Sequence, residues 1–524
     1  MSKPLSDNPR LDRRRVLKYA LLSPMALGLS TAASAQLLQA PASALAKKKR
    51  RNPELEPTAG QWATWLTTSP AKLLPPAPPR ANSAATRAEL QELVTLQNQR
   101  TDAIRAVVNY WDDQGGLPAW THLFLETVKA TNTNPVLASR GLALLHTAIA
   151  DAAITVWYSK SRYRRISPDK QLGRLTSISS VSNQLSSYAS EHAAIAGAAS
   201  TVLNYLFPAA TVSVNGQAMT FDAAANQAAL SRLWAGANYR SDLNAGQLIG
   251  EWIGRQAVLR GLTDGSAATF TGALPVGPQY WVPTPPAFQV NPLLPLAGRW
   301  NPWLMTSGDQ FRMADPAAYS EGAFTSTFLE QQVAAVKAVS DSLTPEQKTI
   351  ALFWADGGNT YTPPGHWVDL AADHVVAAEW STPRAARALA LLSTTLADAA
   401  ISCWDNKYAF SLLRPVTAIR NIPNQPFSDP TWSPFIATPP FPTYTSGHST
   451  FSGAAATVLE HLFPNGTVTD ALGQTTSFAV AADQAKDSRL YGGIHYPMDN
   501  EMGLQCGQEI GGLAINRAQR DGAE

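Results

Sequence analysis

The sequence predicts an all-α protein, two packed helical bundles produced by an internal duplication. Three observations predict it. Arg140-Gly-Leu-Ala-Leu-Leu, then Ala150-Asp151-Ala-Ala-Ile and Trp157, returns 247 residues later as Arg387-Ala-Leu-Ala-Leu-Leu, Ala397-Asp398-Ala-Ala-Ile and Trp404. Within the blocks apolar residues recur at three and four positions, as in Leu389, Leu392 and Leu396 or Val458, Leu459 and Leu462, the spacing of a helical stripe. Alanine is dense and strand-like alternation is rare, which favours close helix packing.

The duplication runs through the chain. Lys160 aligns with Lys407 and Pro168 with Pro415. Ser190-Glu191-His192 followed by Leu206-Phe-Pro208 aligns with Ser446-Gly447-His448 followed by Leu462-Phe-Pro464. Ser231-Arg232-Leu233 matches Ser488-Arg489-Leu490, Asp242 matches Asp499, Trp111 matches Trp354 and Trp120 matches Trp367. Ordered blocks at nearly constant offset define a repeat. Residues 100–262 and 346–518 are read as two copies of four or five helices each. A Pro-rich leader, 36–99, precedes them, and a loop-rich connector, 263–345, joins them. A connector of that length is functional more often than slack, and it is expected to pack across the bundle mouth.

Residues 1–35 read as an export signal. Arg13-Arg14-Arg15-Val16-Leu17-Lys18 is twin-arginine-like, Tyr19 to Leu29 is apolar, and Ala33-Ser34-Ala35 fits a cleavage site. This predicts a periplasmic or secreted protein, delivered by twin-arginine export. Without those residues, 35 basic face 37 acidic residues, a balance that gives no sign of nucleic-acid binding. No later segment reads as uniformly apolar for the ~20 residues of a membrane span. The two cysteines, Cys403 and Cys506, are read as buried apolar thiols rather than a disulfide or metal ligands.

The copies differ where charge matters. The second has Arg414, Gly447 and His495; the first has Ser167, Glu191 and Asn238 there. A glutamate beside an oxyanion repels it, so the first copy is read as scaffold and the second as the site. Lys407 and Arg414, seven apart, are expected on one helix face, with Pro415 ending or redirecting that helix. Arginine suits bidentate contact with planar oxygens and lysine supplies a compact charge. Gly447 opens a helix, so its N–H and the Ser446 hydroxyl can donate at the positive end. Arg489 adds a third cation. His495 follows Gly492-Gly493, and Asp499 can fix its tautomer. His448, on the facing wall, suits acid–base work. His122, His146, His366, His374 and His461 read as structural.

The order and spacing of Lys407, Arg414-Pro415, Ser446-Gly447-His448, Ser488-Arg489, His495 and Asp499 resemble the signature shared by vanadium-dependent haloperoxidases and phosphatidic-acid-phosphatase-type acid phosphatases. The resemblance covers most of 346–505 and, more loosely, the first repeat, and implies a vanadium chloroperoxidase-like fold. For the haloperoxidases it implies vanadate held axially by His495, with Lys407, Arg414, Ser446, Gly447 and Arg489 around its oxygens. Hydrogen peroxide then oxidises halide to hypohalous acid, which halogenates a small organic acceptor. For the phosphatases it implies a periplasmic enzyme in which His495 attacks phosphorus and His448 protonates the leaving group. Vanadate resembles phosphate, so the cradle alone leaves both open. Pro439-Pro440-Phe441-Pro442 before Thr443-Tyr444-Thr445-Ser446 is similar to the chloroperoxidase segment, which places Phe441 and Trp404 at the halide side. Phe353-Trp354-Ala355-Asp356 resembles the segment whose aspartate pairs with an oxyanion arginine, which assigns Asp356 to Arg489. Thr445, where proline is usual, and Gly365-His366-Trp367 depart from the chloroperoxidases and leave the halide open. A helical protein that merely captures oxyanions is a third reading, disfavoured by His448.

Overall fold

Among the described residues the α-helices open with α1 (Ala84–Asn98), α2 (Asp102–Trp111), α3 (Leu117–Ala130) and α4 (Pro135–Tyr163). Then follow α5 (Glu191–Leu206), α6 (Phe221–Ala235) and α7 (Arg240–Thr263). The second half holds α8 (Ala334–Asp341), α9 (Pro345–Phe353), α10 (Thr362–Ala377), α11 (Thr382–Phe410) and α12 (Pro415–Asn421). It ends with α13 (Gly447–Leu462), α14 (Phe478–Tyr491) and α15 (Pro497–Ala518). This is a computed structural model that describes residues 56–180, 186–316 and 328–524; the export signal lies outside them. The described strands form two small antiparallel hairpins, β1 (Val212–Val214) with β2 (Gln217–Met219) and β3 (Val468–Thr469) with β4 (Thr475–Thr476).

Seven helices of each repeat correspond, α2 to α7 with α9, α10, α11, α13, α14 and α15, and the short helix Pro168–Gln171 with α12, rather than the four or five expected. The same local chemistry starts and stops them. Ser190 and Ser446 cap α5 and α13, each hydroxyl accepting the N–H three residues on. Tyr239 with Asp242, and Tyr496 with Asp499, form capping boxes at α7 and α15. The two central helices, α4 and α11, are 29 residues each and end on left-handed residues, Arg164 and Ser411.

Helices α4 and α11 pack on one another at the centre and are buried on almost every side. His146 Nδ1 meets Ser393 Oγ at 2.7 Å, and the two positions are equivalents in the repeat. Burial pushes His146 down to about 3, so it is a neutral core histidine, as the sequence indicates. Both segments are long and apolar enough to cross a bilayer by composition, a feature the sequence reading did not single out, yet those windows are 94% and 100% buried inside the protein. Their apolar character is that of a core helix.

The leader and connector are also equivalent. Asp151 accepts the backbone N–H groups of Trp65, Leu66 and Thr67. Asp398 accepts those of Trp303, Leu304 and Met305. A straplike segment thus precedes each repeat and is pinned to the same point of each central helix. The connector continues along the second bundle: Trp281 N–H donates to Ser411 O at 2.7 Å, and Leu293 N–H to Pro440 O at 3.1 Å. That places it beside the 411–445 segment that carries Arg414 and Phe441. Cys403 and Cys506 are buried free thiols.

Candidate active site

Lys407 sits in the last turn of α11. The helix stops at Phe410, and Arg414 has extended backbone as the N-cap of α12. The expected shared helix face is therefore absent. Ser411, left-handed at φ 47°, turns the chain, and Pro415 opens the next helix rather than ending the previous one, since its missing N–H costs nothing at a first helical position. Both side chains nevertheless reach one pocket, because the 441–445 segment passes between them.

Arg414 is fully buried. Its Nε donates to Phe441 O at 2.8 Å and its Nη1 to Ile494 O at 2.8 Å. Nη1 also donates to His495 Nε2 at 3.2 Å. Its Nη2 is buried with no partner among the described residues, an orphaned donor of the kind that marks a ligand position. His495 follows a turn at Gly493, whose φ of +73° suits glycine; a Cβ there would lie 3.2 Å from Pro434 Cα. On its other side the ring donates from Nδ1 to Asp499 Oδ2 at 3.0 Å. With Nδ1 protonated and Nε2 accepting from Arg414, the outward nitrogen holds a lone pair. Burial, then the charges of Arg414 and Lys407, hold His495 well below the usual histidine range, so the ring is neutral. Burial pushes Asp499 up to about 6 against its donors, which leaves it ionised at neutral pH.

Thr443, which sequence reasoning did not single out, completes this arrangement. Its Oγ1 lies 3.1 Å from His495 Nδ1 and its hydroxyl donates to Asp499. Extending the repeat to Ser187, the matching hydroxyl in the first copy, is the sequence signal that finds it.

Lys407 is fully buried and donates to Pro442 O, Thr443 O and Thr445 O at 3.0, 2.9 and 2.5 Å. All three protons are used on carbonyls, so its influence here is electrostatic. Burial, with Arg414 nearby, pushes it down to about 8. The ammonium lies 5.1 Å from the Phe441 ring centre and 5.8 Å from that of Trp404, and those rings pack at 5.0 Å. Trp404 Nε1 donates to Leu293 O at 3.0 Å, so the connector fixes this apolar wall. Ser446 Oγ accepts from Ser449 N–H and Oγ. A Cβ built on Gly447 meets only ordinary contacts, 3.8 Å from Trp404 and 3.9 Å from Cys403 Sγ.

Arg489 Nη2 donates to Trp354 O at 2.6 Å and its Nε to Ser488 Oγ at 2.8 Å. Burial pushes it down to about 9. The assignment of Asp356 as its ion partner is corrected: Asp356 Oδ2 pairs with His366 Nδ1 at 3.1 Å. His448 Nε2 donates to Ala355 O at 3.2 Å, and burial with the Arg489 charge holds it well below the histidine range.

The first repeat shows what these positions look like when neutralised. Lys160 pairs with Glu191 at 2.9 Å and Arg232 with Asp112 at 2.6 Å. Gly447 and Ala355 stand at the two acidic positions in the second repeat. Among the described residues, Lys407, Arg414 and Arg489 have no carboxylate within ion-pair distance. Asp499 and Asp356 act on them only beyond ion-pair distance; three buried cations with so little compensation are costly, and an anion between them relieves that cost.

A helical fold with a buried polycationic cradle and a lone-pair imidazole is an arrangement that suits an oxyanion. A family model for the VCPO second helical-bundle domain matches residues 387–522, and one for the PAP2 superfamily matches residues 140–260. The vanadium chloroperoxidase of Curvularia inaequalis is 26% identical over 409 residues, 67% of this chain and 65% of that protein; the match thus spans just under two thirds of the relative's length. A bacterial vanadium-dependent iodoperoxidase structure aligns with TM-score 0.60 and 29% identity over 76% of this chain and 95% of that one. A holo-type bacterial vanadium-dependent chloroperoxidase aligns with TM-score 0.54 and 17% identity over 76% and 93%, which supports the fold alone. The chain is thus similar in sequence and fold to vanadium-dependent haloperoxidases, its second repeat matching the VCPO second-bundle model and its first the PAP2 model.

Proposed function

We propose that this protein uses vanadate and hydrogen peroxide to oxidise halide to hypohalous acid, which halogenates small organic acceptors. The observation that carries this reading is the set of three buried, carboxylate-free cations around the His495 lone pair. The residues fit vanadate. Arg414 Nη2 is an unsatisfied buried donor, Gly447 leaves space where Glu191 stands in the first repeat, and His495 offers a nitrogen ligand. Bound vanadate supplies Lewis-acid activation of peroxide toward halide. Around it, Arg414, Arg489 and Lys407 supply the compensating charge, with the Gly447 N–H and Ser446 hydroxyl at the start of α13. Asp499 and Thr443 hold His495 in the tautomer that keeps the lone pair on Nε2. His448, neutral at neutral pH, takes and returns a proton on the facing wall. Trp404 and Phe441 give an apolar surface that suits a weakly hydrated halide.

The PAP2 match supports the second reading, a periplasmic acid phosphatase working through His495. The deciding experiment incubates the purified protein with orthovanadate, hydrogen peroxide, bromide and a phenolic acceptor. Vanadate-dependent bromination inhibited by phosphate is expected; p-nitrophenyl phosphate turnover without bromination would establish the phosphatase instead. Export by the twin-arginine route is part of this proposal. It is checked by the N-terminal sequence of the mature protein, which is expected to begin near residue 36.

A further inference from the structure

Three consecutive residues after α9 offer three acceptors to three side chains. Trp354 O accepts from Arg489, Ala355 O from His448, and the Asp356 carboxylate from His366. The His366 ring lies flat on Trp354, with centroids 4.7 Å apart and planes at 21°. Asp356 is left-handed at φ 40°, a conformation that a non-glycine residue keeps only when its surroundings hold it.

In the first repeat two carboxylates, Asp112 and Asp113, stand where the second has Ala355 and Asp356. Asp112, at the Ala355 position, pairs directly with Arg232, and the residue matching His366 is Ala119. The second repeat lacks that first carboxylate, keeps the second as Asp356 in the place of Asp113, and sets His366 against it. Asp356 still acts on Arg489 across the space between them, raising its proton affinity against burial, and Arg489 is anchored two residues away on Trp354 O. The charged neighbours acting on His366 are Asp356 and Asp369, and His366 acts in turn on His448, as Arg489 does.

We propose that His366 is a positioning residue that holds the Asp356 carboxylate away from Arg489 and so keeps the guanidinium available to an oxyanion. The proposal rests on the oxyanion reading above. Without the histidine, Asp356 is free to swing onto Arg489 and reproduce the neutralised Asp112–Arg232 arrangement.

Calorimetric titration with inorganic phosphate, and separately with orthovanadate, at one pH tests this on the full-length protein. His366→Ala is expected to weaken binding about tenfold, the scale of one added carboxylate at a partly screened cation. His366→Phe, which keeps the ring on Trp354 but cannot donate, is expected to do the same should the alanine variant fold poorly. Adding Asp356→Asn to either variant is expected to restore affinity to within about twofold of the unsubstituted protein. A merely structural role for His366 predicts no such rescue. Unchanged binding in the single variants, or double variants as weak as the singles, overturns the proposal. Failure of the unsubstituted protein to bind either anion overturns the oxyanion reading itself, and this inference with it.

Discussion

Glu191 of the first repeat occupies the position that Gly447 holds in the second, and its carboxylate lies 2.9 Å from Lys160 Nζ. The equivalent ammonium, Lys407, has no carboxylate partner among the described residues. One backbone position thus separates a neutralised lysine from one whose charge is left to the pocket. The two bundles act as an internal control, sharing helices and caps while differing in charge at the point where an anion would sit.

Gly447→Glu is expected to convert the second repeat to the state of the first. The new carboxylate has room to reach Lys407, because a Cβ at position 447 meets nothing closer than 3.8 Å. Binding of phosphate or vanadate is expected to weaken by at least about a hundredfold, since the substitution both repels the anion and satisfies a cation. Calorimetry reads the loss, and an unchanged far-ultraviolet circular dichroism spectrum shows that the fold is kept. Retained affinity would show that the anion sits elsewhere.

His495→Ala is expected to abolish halide oxidation, whereas Asn238→Ala, its counterpart, is expected to change turnover by less than about twofold. Asn238 is engaged in structural contacts, donating to Ser187 O at 2.7 Å. Equal losses in steady-state assays of the two variants would refute the assignment of the first repeat as scaffold.

Thr443→Val removes the hydroxyl shared by His495 and Asp499 while keeping the side-chain shape. A partner that orients a metal-binding histidine is worth roughly 10–100-fold in affinity, and a loss in that range is expected in a vanadate titration. Binding that matches the unsubstituted protein would mean that Asp499 alone fixes the ring.

Much of this was legible in the sequence because duplication prints each element twice. The matched Arg140 and Arg387 blocks locate the central helices, and the acidic residues of the first copy mark where the second had lost charge. What was not legible depends on turns and on single-residue slips. The left-handed Ser411 separates Lys407 from Arg414, and seven-residue spacing cannot reveal it. Asp356 sits one position past the alignment that would pair it with Arg489, and only the folded chain shows that His366 takes it. The straps on Asp151 and Asp398 do repeat a short block, Gly60-Gln-Trp62-Ala-Thr-Trp65-Leu66 against Gly298-Arg-Trp300-Asn-Pro-Trp303-Leu304, but it is brief and lies outside the helical copies, so the leader and connector read as unrelated.

Those two straps give a pH dependence of stability with a definite sign. Burial raises Asp151 and Asp398 to about 6, against the lowering effect of the backbone N–H groups they accept. An aspartate in the unfolded chain titrates near its ordinary value of about 3.9. Between about pH 4 and 6 the folded state therefore holds protons that the unfolded chain has released. Stability from these groups is fully present below that window and falls as pH rises through it, by on the order of 3 kcal/mol each. Asp398→Asn cannot ionise, so its deficit in thermal midpoint relative to the unsubstituted protein is expected to shrink between about pH 4.5 and 7. A deficit that grows over the same range would mean that the three N–H groups overcome burial and that the ionised carboxylate is the form that pins the strap.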